Sequence, residues 1–460
     1  MSGVMPDFTL RLVDDVMVSI MLFGAACVDG EPRFEFLVSW VCQRWRVLAL
    51  NTPGLWRVIR RLPDQDLRAS LIARLARSAP LTLHLHLHLA QQDVNFASYL
   101  GMLTQYADRW ETVTLQTRHP LDGVEVLEVT RRIPFPRLKS FVVYIPRKSF
   151  YDRDIFPLEP PLFLADSPSL VVLACPFWAC PFFGPLQSLT HLRLDHCSIR
   201  SDGDYLKFRD VLQESPLCVL EIALLSMHDI ESRTGRLPNI FVPRLSILIA
   251  AHIAWFHVRP LLGLISAPAL HTLYLGLHVV RALNDVHIED GTRALDFPAL
   301  RMLHIHSDRL TIRTRYVPSI VCSIAWALPT VTVLDTNMST CDLRGLVGHS
   351  CSDLHIAQDV DREASLHCPL EPHALRAPVP LTELAELRLV DVNQSADEVC
   401  QFFSARKTFG YPIPLLCVDR RRFHPLSVPR LAKVVSIRPL RCEADALGIP
   451  LSNCHKWAHS

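Results

Sequence analysis

Apolar residues near the N-terminus recur with the period of a helix and then stop at a turn. They stand three or four residues apart at Leu37, Val41, Trp45 and Leu48. One helix from Leu37 to Leu50 is therefore predicted. Residues 51–54 have turn chemistry, and Thr52 is expected to cap a short second helix over residues 53–56. The pattern alone predicts a small helical hairpin with an aromatic core.

An uncharged run precedes this hairpin over residues 16–28 and ends in the letters GAACV. The apolar stretch of a secretory signal peptide has this composition, and a secreted or lipid-anchored protein would then follow. Signal peptides carry positive charge before that stretch, whereas Asp14 and Asp15 precede it here. The favoured alternative is a short helix. Its buried stripe would consist of Val16, Ile20 and Phe23.

A helix and a strand are predicted after the hairpin. Residues from Asp64 to Ser78 have an amphipathic pattern that Pro80 ends. The apolar side of this helix carries Leu67, Leu71, Ile72 and Leu75. Residues 81–89 then alternate strictly between leucine and a threonine or histidine, which is typical of a strand. One face of the strand would carry His84, His86 and His88.

The body of the chain contains an irregular repeat, in which an apolar anchor is followed by apolar residues at plus three and plus five. The clear copies begin at Leu189, Leu270 and Leu300, and Cys197 occupies the asparagine position of the first copy. Weaker copies begin at Trp110, Leu138, Leu170, Leu217, Leu245, Val331, Cys351 and Leu384. Successive anchors average about 27 residues apart, which is typical of leucine-rich repeats.

Each copy would supply a strand with inward leucines and a return segment, and only stacking can bury their apolar faces. A proline stands two residues before several anchors, at Pro136, Pro168, Pro243, Pro268 and Pro298. Its ring would fix the chain entering the strand. The copies lack the asparagine of the repeat pattern, so an ordinary buried α/β sheet with leucine strands stays open as the alternative.

Composition predicts more than one structural unit, because 460 residues at 49% hydrophobic can bury more core than one ordinary domain holds. We expect a helical unit over residues 1–62, a linker helix over 63–80, a leucine-rich repeat-like domain over 81–440 and a tail over 441–460. The fold class is therefore α+β or α/β, with a small helical N-terminal unit and an irregular solenoid.

Charge and cysteine content limit the partners and the compartment. Lys and Arg number 47 against 46 Asp and Glu, so no global field favours nucleic acid or an anionic membrane. Fourteen cysteines without paired close spacing are typical of reduced thiols in a cytoplasmic or nuclear protein. Residues 260–280 lack charge over a length that could cross a bilayer. Prolines and histidines interrupt this stretch, which favours a buried strand and turn over a membrane span.

Two groups of residues could hold a metal ion. His84, His86 and His88 would share a strand face, but no acid or cysteine stands nearby to complete a ligand set, so a polar sheet face is favoured. Cys175 and Cys180 could form a metal or thiol loop, but their aromatic neighbours favour packing. No phosphate loop, nucleophile elbow or dinucleotide fingerprint occurs. We expect no cofactor and no enzyme, with a hydrolase or transferase using an unassigned Cys or His as the alternative.

One motif resembles a known family. Residues 41–46, with the letters VCQRWR, and the following residues 49–56 resemble the second half of an F-box, especially the fungal kind. Residues 12–21 resemble the first half. They carry Val13 where the family has proline, Asp15 where it has glutamate, and Met21 where it has phenylalanine.

With the repeat-like body, the chain resembles F-box proteins with a leucine-rich repeat-like C-terminal domain. The resemblance implies a non-catalytic substrate-recognition subunit of a cullin-RING (SCF-type) ubiquitin ligase. The F-box would bind a Skp adaptor, and through it a cullin, while the repeats bind a target protein. The resemblance assigns adaptor contact to Leu12, Val16, Ile20, Leu37, Val41, Trp45, Leu48, Leu55 and Trp56. Some of these residues would instead hold the helices together.

Strand geometry predicts a target surface, because residues flanking the inward leucines share the concave face of a solenoid. The strongest members are His191, Arg193, Asp195, Tyr274, His304 and Arg388. The same face would carry Thr272, Gly276, Met302, His306, Glu386 and Val390. A merely solvated surface is the alternative for this face. For the whole chain, the rival is a leucine-rich scaffold whose degenerate F-box, with Val13 in place of proline, no longer binds an adaptor.

Overall fold

A computed structural model describes much of the chain. The described residues are 12–27, 34–61, 68–89, 96–117, 126, 130, 133–144, 167–176, 186–199, 201–227, 237–277, 295, 297–307, 327–336, 381–389, 396–408, 410–418 and 431–439. They form a mixed α/β structure with eight α-helices and a large parallel sheet. The chain divides into two compact units, Met1–Leu217 and Cys218–Ser460.

The first unit begins with three helices. They are α1 (Asp14–Cys27), α2 (Phe34–Val41) and α3 (Gln43–Leu50), followed by a 3₁₀ turn at Pro53–Leu55. We call residues 12–56 the helical head. The single helix predicted from Leu37 to Leu50 is wrong, because Cys42 is extended and the chain starts a new helix there. Val41 and Trp45 keep helical spacing across this break, so periodicity alone could not reveal it.

The core of the helical head is formed by buried side chains from all three helices and the 3₁₀ turn. They are Met17, Met21, Val38, Ala49, Leu55 and Trp56. A helix was predicted over the uncharged run and is present, but its predicted buried stripe is wrong. Val16, Ile20 and Phe23 are exposed, and Met17 and Met21 face the core instead. Because α1 is apolar on every side, its sequence does not mark the buried face.

The remaining helices of the first unit are α4 (Arg68–Arg77), α5 (Phe96–Thr104) and α6 (Asp202–Glu214). The predicted helix from Asp64 to Ser78 is confirmed over α4, while residues 64–67 lie outside the described part. Leu71 and Leu75 are buried as expected, but Ile72 is exposed. Helix α6 begins at a complete capping box, in which Ser201 and Asp204 bond each other's backbone amides.

The strands of the first unit are β1 (Val58–Arg61), β2 (Leu83–Leu89), β3 (Trp110–Thr117), β4 (Ser140–Tyr144), β5 (Val172–Pro176), β6 (His191–Asp195) and β7 (Ser198–Ile199). Strands β1 to β6 pair in parallel in chain order. The strand predicted from strict alternation is confirmed as β2, with its leucines buried and its histidines half-buried. Cys175 on β5 is buried, while Cys180 lies outside the described residues.

The strands of the second unit are β8 (Val219–Ala223), β9 (Ser226–Met227), β10 (Ile240–Phe241), β11 (Ile247–Ile253), β12 (Ile265–Ser266), β13 (Thr272–Leu277), β14 (Met302–Ser307), β15 (Val333–Thr336), β16 (Glu386–Leu389), β17 (Leu415–Val418) and β18 (Ser436–Pro439). Eight of them pair in parallel in the order β8, β11, β13, β14, β15, β16, β17, β18. Strand β10 pairs with β12.

Two helices complete the second unit, α7 (Trp255–Leu264) and α8 (Ala396–Thr408). The uncharged stretch at residues 260–280 contains the end of α7, then β12 and β13, while residues 278–280 lie outside the described part. No helix among the described residues has the length and apolar character that crossing a membrane requires.

Most of the described repeat anchors follow the same tight turn, whereas the amide of Leu217 donates to Ser215 instead. The amide of Leu270 donates to the carbonyl of Ala267 at 3.1 Å, and that of Leu300 donates to Phe297 at 3.0 Å. The prolines predicted to precede the strands, such as Pro268, occupy the second position of this turn, where a fixed φ favours it. The same bond recurs at Leu138, Leu170, Leu189, Leu245, Val331 and Leu384. The copy beginning at Cys351 lies outside the described residues.

Neighbouring copies are joined by a second recurring contact. The amides of His271 and Thr272 both donate to Ser246, and those of Arg301 and Met302 both donate to His271, at 3.0–3.1 Å. The apolar residues at anchor, plus three and plus five are buried in all three clear copies. In each clear copy of the sequence repeat, the same turn is therefore followed by a strand that is hydrogen-bonded to the strand of the preceding copy.

Candidate functional site

Exposed apolar side chains are concentrated in the helical head. Among the described residues, fifteen large apolar side chains are exposed, and eleven of them lie in the head. These are Leu12, Val13, Val16, Ile20, Leu22, Phe23, Leu37, Trp40, Val41, Val47 and Leu50. A concentration of this kind is typical of a surface that binds another molecule.

Helix α1 carries the longest exposed stripe. Val13, Val16, Ile20 and Phe23 follow each other at steps of three and four residues, so they share one helix face. Phe23 is 73% exposed. A shallow groove on this face is lined by Asp15, Val16, Ser19, Ile20 and Phe23. The helix face beside the Met17 and Met21 contacts is thus largely apolar and exposed, and Asp15 and Ser19 form its polar edge.

Helix α2 also has two apolar faces. Leu37, Trp40 and Val41 are exposed at steps of three and one, with Trp40 66% exposed. Val38 points into the core from the other side. A tryptophan on the surface of a short helix has a large apolar area available for a partner.

Two arginines of the motif connect the helices of the head. Arg44 on α3 donates to Asp14 at the start of α1, with Nε and Nη2 at 3.0 and 2.6 Å from Oδ1, and also to the Leu12 carbonyl. Arg46 donates through Nε to the Ser39 carbonyl on α2 at 3.0 Å. Arg44 and Arg46 therefore have a structural role, because their hydrogen bonds hold α1 and α2 against α3.

The nine residues assigned to adaptor contact divide into three groups. Leu12, Val16, Ile20, Leu37 and Val41 are exposed, while Trp45 and Leu48 are half-buried against the core. Leu55 and Trp56 are buried. Their side chains hold the helices together and offer no free surface in this structure.

Trp56 shows how tightly the core is organised. Its indole Nε1 donates to the carbonyl of Ala49 at 2.8 Å. Phe36 meets the ring edge to face, with centroids 5.5 Å apart, and the Arg77 guanidinium lies 4.5 Å from the ring centroid. A buried indole contributes apolar area to the core, and the hydrogen bond of its N–H fixes the orientation of the ring.

The predicted linker helix α4 packs directly on the head. Arg74 forms an ion pair with Glu35 of α2, and its guanidinium lies 5.1 Å from the Phe36 ring centroid. Burial raises the pKa of Glu35, although the charge of Arg74 opposes this change. The head and α4 therefore share contacts within the first unit.

Sequence reasoning missed several exposed residues of the head, above all Trp40 and Phe23. Trp40 stands three residues after Leu37, which was assigned to the surface, so helical spacing could have included it. Phe23 was assigned to the core because α1 has no polar face to orient it.

The histidine face of β2 lies among polar groups of the neighbouring strand. His84 contacts Thr112 at 2.8 Å and lies 3.9 Å from the Glu111 carboxylate, an acid that sequence spacing did not reveal. Arg57 also contacts His84, and burial followed by this charge lowers the pKa of His84. Hydrogen bonds from Lys139 and Thr82 lower the pKa of Glu111 to about 2. The carboxylate already has partners, and a nearby guanidinium disfavours a bound cation.

In the first unit, the predicted target residues lie together on β6. His191, Arg193 and Asp195 are half-buried and alternate with buried leucines. Arg193 pairs with Asp195 at 3.1 Å and lies 5.7 Å from the Tyr144 ring centroid. The guanidinium is therefore held in place at the sheet surface.

In the second unit, three predicted target residues and Asp335, which was not predicted, form a row across four strands. Tyr274 pairs in register with His304, His304 with Asp335, and Asp335 with Arg388. Arg388 Nε lies 2.6 Å from Glu386 Oε1. Thr272 is buried, Met302 is half-buried, and Val390 lies outside the described residues.

Gly276, which was predicted on the target face, lies close to the backbone of the neighbouring strand. A Cβ at this position would lie 3.3 Å from both Ala251 Cα and His252 N. The register between β11 and β13 shifts at this point, and His252 has φ 53. A side chain at position 276 would therefore require the bulged strand to move by a few tenths of an ångström.

A histidine–aspartate cluster lies within the row. His304 Nδ1 is 3.4 Å from Asp335 Oδ2, and His306 Nε2 is 3.2 Å from Asp335 Oδ1. Burial acts to raise the pKa of Asp335, but the hydrogen bonds and charges of the two histidines outweigh it and hold that pKa well below its usual range. Three potential metal ligands are therefore brought together.

Asp335 was missed because its partners are about thirty residues away in sequence. The repeat pattern could have revealed that Asp335 lies next to His304. Asp335 stands four residues after the anchor Val331, as His304 stands four after Leu300, and equivalent positions of adjacent copies lie side by side.

Comparison with known proteins adds no identification. Neither a scan against models of protein families nor a search of curated proteins returned a match to this chain.

Proposed function

We propose that this chain is a substrate-recognition subunit of an SCF-type ubiquitin ligase. The helical head binds a Skp adaptor and through it a cullin. The remaining strands stack as a leucine-rich repeat-like solenoid that holds a target protein. The observation that supports the proposal best is the exposed apolar surface of α1 and α2, beside a motif that resembles an F-box.

Two properties of the head favour docking over a purely structural role. Its core is complete without the exposed stripe, because Met17, Met21, Val38 and Trp56 already fill the space between the helices. Trp40 and Phe23 are the most exposed apolar residues, and aromatic side chains are frequent anchors of protein interfaces.

The recurring turn and ladder contacts support the proposed role of the body. Within each unit, a parallel stack with inward leucines leaves alternate side chains on one face, with half-buried Arg193 in the first unit and half-buried Tyr274 and Arg388 in the second as the proposed interface anchors. The chain itself performs no bond chemistry in this role. It raises the effective concentration of a target lysine near the charged enzyme of the complex.

The proposal is tested by measuring binding of the full chain to a purified fungal Skp-type adaptor. Ile20→Asp places a charge in the exposed stripe of α1 and is expected to weaken adaptor binding by about tenfold or more. Ile72→Asp is the matched control, because Ile72 is equally exposed but lies on α4. Circular dichroism checks that both variants keep the wild-type fold.

The rival is a repeat scaffold whose head no longer binds an adaptor, which Val13 favours by standing where F-boxes have proline. A folded wild-type chain with no affinity for the adaptor supports this rival and overturns the proposal. Equal weakening by Ile20→Asp and Ile72→Asp would also count against the assigned surface.

A further inference from the structure

His304, His306 and Asp335 come from two adjacent strands of the second unit. His304 and His306 stand two residues apart on β14, so they share a sheet face. Asp335 on β15 is in direct register with His304. One ligand atom from each of the three side chains lies within 4.8 Å of the others.

The separations suit a small divalent cation. Zinc binds imidazole nitrogen and carboxylate oxygen at about 2.0–2.2 Å, which places tetrahedral ligand atoms about 3.4 Å apart. The nitrogen-to-oxygen distances of 3.4 and 3.2 Å are close to that spacing. The two distances end on different oxygens of Asp335, so an ion would be held by both carboxylate oxygens, or by one of them after rotation of the carboxylate.

The cluster is held in place before any ion arrives. Tyr274 stacks on the His306 ring with centroids 5.2 Å apart and planes at 16°, and contacts the His304 ring in a tilted arrangement at 5.8 Å and 33°. All three ligand side chains are less than one-fifth exposed. Restricted rings reduce the entropy lost on binding, as supporting residues do in known metal sites.

The charges also favour a cation. With neutral histidines, the cluster carries one negative charge on a largely buried carboxylate, and a divalent ion would compensate that charge. Arg388 is in register with Asp335 on the next strand, but its Nε is paired with Glu386. The carboxylate of Glu386 thus offsets the positive charge of Arg388.

We propose that His304, His306 and Asp335 form a binding site for a divalent first-row transition metal ion, with Zn²⁺ as the best fit. Two imidazoles and one carboxylate are the donors that such ions share. Three protein ligands leave at least one coordination position for water or an external donor. The site is independent of adaptor binding by the helical head.

The first test is a zinc titration of the full chain after removal of metal with a chelator. Competition with a chromogenic chelator is expected to show one bound Zn²⁺ with a dissociation constant of about 1 µM or below. Asp335→Asn keeps the shape of the side chain but removes its charge, and we expect about 100-fold weaker binding. His306→Gln, on the other strand, is expected to have the same effect.

The matched control is the double variant His84→Gln, His88→Gln, which removes alternating half-buried histidines from another strand face. It should bind Zn²⁺ as the wild type does. Absence of a stoichiometric zinc ion in the wild type overturns the proposal. So does zinc binding that survives both Asp335→Asn and His306→Gln.

A second measurement needs no substitution and therefore does not depend on how the variants fold. Co²⁺ added to the metal-free wild type is expected to give visible d–d absorption without the near-ultraviolet charge-transfer bands of thiolate ligands. This spectrum is the signature of nitrogen and oxygen donors. Thiolate bands would instead assign the metal to cysteines and contradict the site.

Discussion

At the scale of single residues, side chains that are close together in the motif differ in how deeply they are buried. Trp45 and Trp56 both belong to the stretch that resembles an F-box, but only Trp56 is fully buried with its N–H bonded to a carbonyl. Trp40, which the motif does not include, is the exposed tryptophan. The structural and the binding residues of the head therefore differ, although they are close in sequence.

Alanine at the two tryptophans should separate these roles. Trp56→Ala removes a buried indole, its hydrogen bond to Ala49 and its contact with Phe36, and should lower the free energy of unfolding by about 3–5 kcal/mol. Trp40→Ala should change it by about 0.5 kcal/mol or less, because exposed substitutions cost little. Denaturant unfolding of the full chain measures both.

Adaptor binding by the same two variants completes this comparison. Trp40→Ala should weaken adaptor binding while the fold is kept, since the exposed indole is available to a partner. An equal loss of stability in the two variants would show that Trp40 also belongs to the core and would remove it from the docking surface.

At the scale of elements, the sequence predicts strands better than helices. Strict alternation in β2 and the repeated leucines of β6, β13 and β14 specify both the element and its buried face, because a strand has only two faces. Helix α1 shows the opposite case. Its sequence is apolar all round, so the buried face depends on which neighbours pack against it.

Long-range pairing explains the other differences. The break at Cys42 leaves helical spacing intact on either side, so nothing local in the apolar pattern indicates it. Asp335 lies beside the two histidines only because β15 pairs in register with β14. Two of the three ligands of the candidate metal site could be predicted from the sequence, as His304 and His306 alternate on one strand, whereas the third ligand required the alignment of a weak repeat copy.

The recurring turn before each anchor predicts a stabilising substitution. Gln187 occupies the second turn position before Leu189, where several other copies have proline, and the Leu189 amide makes the same bond to Leu186 at 3.1 Å. Gln187→Pro should raise the free energy of unfolding by about 0.4–1 kcal/mol, because it restricts the unfolded chain. Chemical denaturation measures the change.

Ser188→Pro is the matched control for this substitution. Proline at the third position of a type I turn forces the preceding residue out of its helical conformation, so a loss of stability is expected. If Gln187→Pro destabilises the chain as much as Ser188→Pro does, the turn before Leu189 differs from those of the other copies.

At the scale of the whole molecule, the net charge of +1 means that no global field steers a partner. Recognition must therefore depend on local surfaces. The head has an apolar surface on α1 and α2, whereas the strands present charged and aromatic side chains at half-buried positions. Because these two surfaces differ in chemistry, each suits a different partner.

Substitution in one surface should therefore leave the other partner bound. Arg193→Glu reverses a charge at the sheet surface, next to Asp195 and Tyr144, and should weaken target capture by about fivefold or more. Adaptor affinity should stay at the wild-type value, because no residue of the head is changed. Targets are first captured by the full chain and identified, and each affinity is then measured with purified proteins.

Arg209→Glu is the matched control, since Arg209 is a partly exposed arginine beside an aspartate but lies on helix α6. It should change neither affinity. Arg388→Glu and Tyr274→Ala extend the test to the second unit, with thermal unfolding used to check that the row across its strands persists. If Arg193→Glu reduces adaptor and target binding equally, one surface serves both partners, and the division between a docking head and a target-binding sheet is wrong.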